Sequence, residues 1–359
     1  MCRHRKSFNF VATKTKALDK ILVIRFSSIG DIVLTTPVLR CLKEQLGGVS
    51  VHVVTKRSNR VLYSANPYVD EVFDFEYSEK EVIPMLKSMH YDHIVDLQKN
   101  IRSARICRAL RCRVSSYPKL NFRKMLLTCF KINRMPDIHV VDRYFKAVEC
   151  LGVHNDGRGL DFFFAEGDEM FDADIPEEFH DGYVAVAIGG QHNTKVLPDR
   201  HIIRVCELLD YPIILIGGAN DFLRGQRIAD AVGQNIWNSC GGLTVGQSAS
   251  VIRMADAVLT NDTGMMHIAA AFRKPIVSVW GNTVPDFGMY PYLPSDRQRS
   301  VIVQNDDISC RPCHKLGYKK CPRGHFRCMT ELDPDVIAHA LRQMVERYGD
   351  DEGLRKSRY

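Results

Sequence analysis

Twice along this chain, short apolar runs of strand length alternate with helix-length periodic segments, and that alternation constrains the fold more than any other feature. The first series reads ILVIRF (21–26), IVLTTPVLRCLKEQL (32–46), VSVHVVT (49–55), VDEVFDFE (69–76), a helical pattern over 78–90, and YDHIVDLQ (91–98). Strands joined by helical crossovers run parallel, so a doubly wound α/β layer is expected. A helix over 140–152 follows. Acids, Gly and Pro then accumulate and the period fails, which places a linker at 166–182.

The pattern restarts with YVAVAIGG (183–190), a helix over 198–210, YPIILIGG (211–218), a helix over 221–232, and NIWNSCG (235–241). It continues with a helix over 247–255, AVLTND (257–262), a helix opening at Thr263, and PIVSVWG (275–281). Two of these strands end in paired glycines and one in a single glycine, which lets backbone approach a ligand at the carboxyl edge of a sheet. The expected architecture is therefore two doubly wound Rossmann-like domains, over 21–165 and 183–332, the second being the better nucleotide site. A final helix over 333–348 is expected to pack back at the domain junction.

Charge is distributed unevenly. The net charge is +7, and residues 1–20 carry six Lys/Arg against one acid, a basic tail ahead of the first domain. Residues 100–134 carry ten Lys/Arg and no acid, so the partner of the first domain is expected to be anionic. No run approaches the roughly 20 apolar residues of a bilayer crossing, and the basic start lacks an apolar signal block, so a cytoplasmic protein is expected. Eight of the twelve cysteines are scattered singly, as small core fillers in a reducing compartment are.

Three turns carry chemistry-bearing residues. In FSSIGDIVLTTP (26–37) a strand passes into a helix through Ser28 and Gly30, with Asp31 at the helix start. Asp31 reads either as a helix cap, which Asn could replace without loss of stability, or as a carboxylate facing the ligand cleft. In LTNDTGMMHIAAAF (259–272), Asp262, Thr263, Gly264 and Met265 open a helix with His267 in its first turns. Free amides there bind phosphate well, and a plain capped helix is the competing reading. Lys195 and Asp221 each follow a Gly-Gly strand end. Lys195 is either a phosphate partner or a solvated lysine, and Asp221 either a ribose ligand or a helix-start acid.

Two further segments invite alternatives. Cys310, Cys313, Cys321 and Cys328, with His314 and His325 nearby, could give four thiolates to zinc or form a cysteine-rich loop packed on the core. NFRKMLLTCFKI (121–132) places Phe122, Leu126, Leu127 and Phe130 at helical spacing among Arg123, Lys124 and Lys131. That is the pattern of a membrane-surface helix, or of a half-buried helix with a solvated basic face.

FSSIGDIVLTTP, the KVLP at 195–198, IGGAND, LTNDTGMMHIAAAFRKPIVSVWG and CRPCHKLGYKKCPRGHFRCM, in this order over residues 20–345, resemble glycosyltransferase family 9, the lipopolysaccharide heptosyltransferases. The resemblance implies the GT-B fold, with an acceptor in the first domain, a nucleotide-sugar in the second, and inversion at the anomeric carbon. It implies Asp31 as general base and the amides of Thr263, Gly264 and Met265 with Lys195 as the diphosphate site. Asp221 would then bind the ribose, and Asp262 and His267 would order the phosphate turn or touch the sugar. Ser28, Gly30, Arg102, Arg105, Arg123 and Lys124 would serve the acceptor. The partners implied are a nucleotide-sugar, such as ADP-heptose, and an acidic glycolipid of the lipid A and core type at the inner membrane's cytoplasmic face. This scheme requires no cofactor beyond the donor. Residues 120–136 and 280–292 do not resemble the best-known enterobacterial members, so the resemblance does not carry over the identity of donor and acceptor.

Two rival classes remain. An NAD-dependent oxidoreductase lacks its G-x-G-x-x-G after the first strand of either domain. A zinc-containing nucleic-acid binder fits poorly with two doubly wound domains and cleft-facing acids.

Overall fold

The structure is a computed structural model that describes residues 18–349. Most of the basic tail expected at 1–20 thus lies outside the described residues.

The first unit runs β1 (Lys20–Ile24), α1 (Ile29–Val33), α2 (Thr36–Gln45), β2 (Ser50–Lys56), α3 (Val61–Ser64), β3 (Glu71–Phe75), α4 (Ile83–Ser88), β4 (His93–Asp96), α5 (Ile101–Leu110), β5 (Arg113–Ser116), α6 (Asn121–Phe130) and α7 (Val140–Phe145). Its five strands are parallel in the order β3-β2-β1-β4-β5. The second unit runs β6 (Val184–Ala187), α8 (Asp199–Leu209), β7 (Ile213–Ile216), α9 (Phe222–Val232), β8 (Ile236–Asn238), α10 (Val245–Met254), β9 (Ala257–Asn261), α11 (Gly264–Ala271), β10 (Ile276–Trp280), β11 (Ser300–Gln304), α12 (Arg327–Thr330) and α13 (Pro334–Tyr348). Its six strands are parallel in the order β11-β10-β9-β6-β7-β8. Two doubly wound parallel sheets are thus present, as expected.

Central strands of such sheets are covered on both faces and read as unbroken apolar runs. β4, β6, β7, β9 and β10 are buried at every position. The order of each sheet reverses beside its first strand, β1 or β6, and open α/β sheets bind ligands at that carboxyl edge.

Several elements differ from expectation. The run at 32–46 is two helices, because Pro37, at the start of α2, has no N–H to continue the α1 ladder. The helix over 140–152 stops at Phe145 and resumes as a single 3-10 turn at Glu149–Leu151. β5 and β11 were not expected. The segment 166–182 holds only 3-10 turns, yet Met170, Ile175 and Phe179 are buried in the main core. α13 packs mainly on the second sheet, against α8, β9 and β10, rather than across the junction.

The two units touch through a few segments. Val140 N–H donates to Gly288 O at 2.7 Å, and His139 Nε2 meets Tyr290 O at 2.8 Å. Leu127 of α6 packs with Val284 and Phe287, and Lys131 Nζ donates to the carbonyls of Cys310 and Pro312 at 2.9 and 2.7 Å. The N-termini of α1 and α11 pack directly against each other.

Candidate functional site

β1 delivers the chain into a turn whose residues are fixed by one another. Ser28 is the N-cap of α1 and Asp31 its third residue, so Asp31 serves the cap from inside the helix. Asp31 Oδ2 accepts from Ser28 N–H and from Ser28 Oγ, both at 3.1 Å. Its other oxygen, Oδ1, lies 2.5 Å from Arg25 Nη2. Burial pushes the Asp31 carboxyl up, but the Arg25 guanidinium and the Ser28 donors outweigh this and hold it below the usual carboxylate range. The side chain keeps 24% of its surface, so a hydroxyl can reach the carboxylate.

Opposite stands α11, capped at Thr263 with no side-chain bond to its first amides. Those amides and the helix dipole make a positive, ligand-ready end. Gly264 makes a close approach there: a Cβ would meet Gly30 N and the Ile29 side chain at 3.2 Å, tighter than ordinary contact. His267 is buried at 3% exposure and its Nδ1 has no partner among the described residues. Burial pushes its imidazole down to about 4 against the pull of Asp262 and Asp31, so at neutral pH it is uncharged.

The second sheet supplies the remaining donor-side residues. Lys195 Nζ lies 2.6 Å from Asp262 Oδ2, which also accepts from Thr283 Oγ1 at 2.7 Å. Asn261 stitches this region together, donating to Ala187 O and accepting from Leu197 N–H. Asp221 stands over the Gly-Gly ends of β6 and β7: its Oδ2 accepts from Gly218 N–H at 3.0 Å and would lie 2.5 Å from a Cβ on Gly189. Asp221, Lys195, Asp262, Thr263 and Gly264 therefore line one carboxyl edge.

The expected acceptor residues divide. Ser28 and Gly30 flank Asp31. Arg102 and Arg105 are engaged elsewhere, at 3.8 and 2.9 Å from Glu79, whose side chain is only 2% exposed. Arg123 is exposed. Lys124 sits over the Phe287 ring at 5.9 Å, and burial together with Arg143 pushes its ammonium down to about 8. Three cations were missed in the sequence. Arg143, 3% exposed, donates through Nη2 to Phe287 O while its Nε and Nη1 have no partner among the described residues. Lys119 donates to the carbonyls of Gln98 and Lys99. Arg25 pairs with Asp31. Only the lone Arg within VVDRYF and the Arg closing an apolar strand run could have signalled two of them.

The cysteine loop is less assembled than a four-thiolate site needs. Cys310 Sγ lies 3.9 Å from Cys313 Sγ and 3.8 Å from His325 Nε2, and all four thiols are free. Among the described residues no group of three or more His, Cys, Asp or Glu is arranged to hold a metal ion. In α6, Leu127 faces inward while Phe122 and Phe130 are 67% and 63% exposed. The four apolar residues thus do not share one face, and Lys131 is occupied by the Cys310 and Pro312 carbonyls. No described helix is long and apolar enough to cross a membrane.

Residues 81–320 match the family model described as glycosyltransferase family 9 (heptosyltransferase). The chain belongs to glycosyltransferase family 9. It is an enzyme of that glycosyl-transferring class, and the oxidoreductase and nucleic-acid readings fall away. Lipopolysaccharide heptosyltransferase 2 of Escherichia coli K12 is 25% identical to it over 361 residues, covering 91% of this chain and 98% of the relative. Two solved structures share the GT-B fold of this family 9 chain. The structure of E. coli ADP-heptose lps heptosyltransferase II aligns with a TM-score of 0.69 at 22% identity, covering 91% of this chain and 99% of the other. E. coli heptosyltransferase WaaC with ADP aligns with a TM-score of 0.63 at 21% identity, with the same coverage.

Proposed function

We propose that this glycosyltransferase moves a heptose from ADP-heptose, with inversion, onto a hydroxyl of an acidic envelope glycolipid of the lipopolysaccharide core type. The observation that carries the reading is the facing of two helix starts: an ionised, accessible carboxylate, Asp31, on α1, and open amides on α11, with Gly30 and Gly264 in contact between them. Relatives named as lipopolysaccharide heptosyltransferases, and solved structures titled with ADP-heptose and ADP, support the choice of donor and acceptor.

The chemistry follows from the charges. The bond from the anomeric carbon to the diphosphate breaks and its electron pair leaves with the diphosphate. The amides of Thr263, Gly264 and Met265, with Lys195 beside them, stabilise that charge as it develops. Lys195 is held on Asp262 until then and shares its protons with the phosphate. The acceptor oxygen bonds to the anomeric carbon from the opposite face and its proton passes to Asp31. Asp221 would bind a ribose hydroxyl. On the acceptor side Lys124 and Arg143, cations with no carboxylate bonded to them among the described residues, fit an anionic glycolipid. Arg123 and the exposed Phe122 and Phe130 fit peripheral contact with an anionic membrane surface.

The test is nucleotide release from ADP-heptose with a truncated core glycolipid as acceptor. ADP formed only when both are present is the expected result. Release that ignores the glycolipid, or occurs equally with UDP- and GDP-linked sugars, overturns the assignment.

A further inference from the structure

We propose that Arg25 is a positioning residue for the reaction: it clamps the Asp31 carboxylate in the orientation from which that group receives the acceptor proton. The inference rests on the reading of Asp31 as the base.

Arg25 closes the apolar run of β1 and is 5% exposed. An isolated guanidinium at such a place is costly, and a buried ion pair adds little stability compared with an apolar pair of the same shape. Its contacts show what the position achieves. Nη1 donates to Leu97 O at 2.6 Å and to Tyr144 Oη at 3.1 Å, and the guanidinium stands 5.7 Å over the Tyr144 ring. Tyr144 is itself buried and wedged edge-on against Tyr117 at 4.7 Å between centroids. With one nitrogen fixed on the end of β4 and on α7, the other, Nη2, meets Asp31 Oδ1 at 2.5 Å. Ser28 fixes Oδ2 from the other side with two donors. Both oxygens of the carboxylate are thus held by groups that belong to different elements, and the rotation that would turn it away from the cleft breaks two sets of bonds. Holding a reacting group within a fraction of an ångström is worth orders of magnitude in rate.

The pair also sets the charge state. The groups within electrostatic reach of Asp31 are Arg25, His267, Lys119, Lys124, Tyr63, Tyr117 and Tyr144. The tyrosines that face it are held neutral by burial, which pushes their hydroxyls up. Arg25 is the nearest of the cations and the one hydrogen-bonded to the carboxylate, so it does most to offset the burial that would otherwise protonate Asp31.

The experiment is the pH profile of kcat for Arg25→Met and Arg25→Lys against wild type, with donor KM measured alongside. For Arg25→Met the acid limb should move up by about one to three pH units, because an adjacent opposite charge is lost, and kcat at pH 7 should fall at least about tenfold. Donor KM should stay within about twofold, since Arg25 is buried behind Asp31 and bonds to Leu97, Tyr144 and Asp31 rather than to the residues of the second sheet's carboxyl edge. Arg25→Lys keeps the charge, so its limb should return to within about half a unit of wild type. Its compact ammonium cannot reach Leu97 O and Asp31 together as the planar fork does, so kcat stays about tenfold low. A folded Arg25→Met enzyme with the wild-type acid limb overturns the inference. If that variant fails to fold, wild-type kcat in Arg25→Lys does so instead. His267→Asn removes a second group, an imidazole pushed down to about 4; loss of the limb in that variant would assign it to His267 and likewise overturn the inference. Asp31→Asn separates the two readings. Retained turnover there removes Asp31 as base, whereas lost turnover with an unmoved limb in Arg25→Met removes only the clamp.

Discussion

Gly30 and His267 are in contact across the junction of the two sheets: a Cβ on Gly30 would stand 2.6 Å from His267 Cδ2 and 3.1 Å from the Gly264 Cα. The helix start that carries Asp31 and the helix start that carries the open amides of α11 are therefore in direct contact. Gly30→Ala should drive them apart. Within α1, Ala gains about 1 kcal/mol of helix propensity, which offsets only part of the about 1–3 kcal/mol that overpacking at the contact costs, so the melting temperature should fall modestly. A displacement of that kind lowers kcat by about ten- to a hundredfold. Wild-type kcat in a Gly30→Ala enzyme would show that the two starts need not meet during turnover.

Lys195→Ala should weaken ADP binding by about 1.5–3 kcal/mol in calorimetry, the worth of a charge-assisted contact to phosphate. Because Asp262 also accepts from Thr283, the loss leaves that carboxylate bonded rather than stranded, and folding should persist. Unchanged ADP affinity would place the diphosphate away from the α11 start.

If Lys124 meets the acceptor as proposed, it should give the acceptor step a pH signature. Its ammonium is pushed down to about 8, so the cation is present below that pH and is lost as pH rises through it. kcat/KM for an anionic glycolipid should therefore fall between about pH 8 and 9, while kcat/KM for the donor does not. Lys124→Arg keeps its charge at any such pH and should flatten the fall. A fall that persists in the Arg variant belongs to another group.

The proposed membrane docking would rest on Arg123 and the exposed rings of α6, since Lys131 is committed to the Cys310 and Pro312 carbonyls. Replacing Phe122 and Phe130 with Ser and Arg123 with Glu should lower binding to vesicles containing anionic lipid, most at low salt, and leave ADP affinity intact. Equal vesicle binding removes the membrane reading.

Sequence periodicity exposed most of the strands because central parallel strands are apolar on both faces. β5 and β11 escaped it for the opposite reason: Arg113–Ser116 is mostly exposed and Ser300–Gln304 only partly buried, each at the edge of its sheet. Among the candidate site residues, the grouping of those in the turns after β1, β6, β7 and β9 was legible, since glycines and helix-start acids mark the carboxyl edge. What they bond to was not. Nothing in the chain says that Arg25 reaches forward to Asp31 while Arg102 and Arg105 turn to Glu79, because such choices depend on which elements the fold stacks together. The inward turn of Leu127, away from Phe122 and Phe130, was hidden in the same way.

The structure also changes what Asp31→Asn should do. A capping role alone would let Asn substitute at little cost, but Asn leaves the buried Arg25 without its counter-charge, so the variant should lose about 1–3 kcal/mol of stability. The decisive measurement is therefore kcat of Asp31→Asn at saturating donor and acceptor, well below its melting temperature, with ADP affinity measured on the same preparation. Loss of a positioned base predicts a fall of about 10²–10⁴-fold in kcat with ADP affinity unchanged. A variant that keeps more than about a tenth of wild-type kcat would contradict the assignment of Asp31 as the group that takes the acceptor proton.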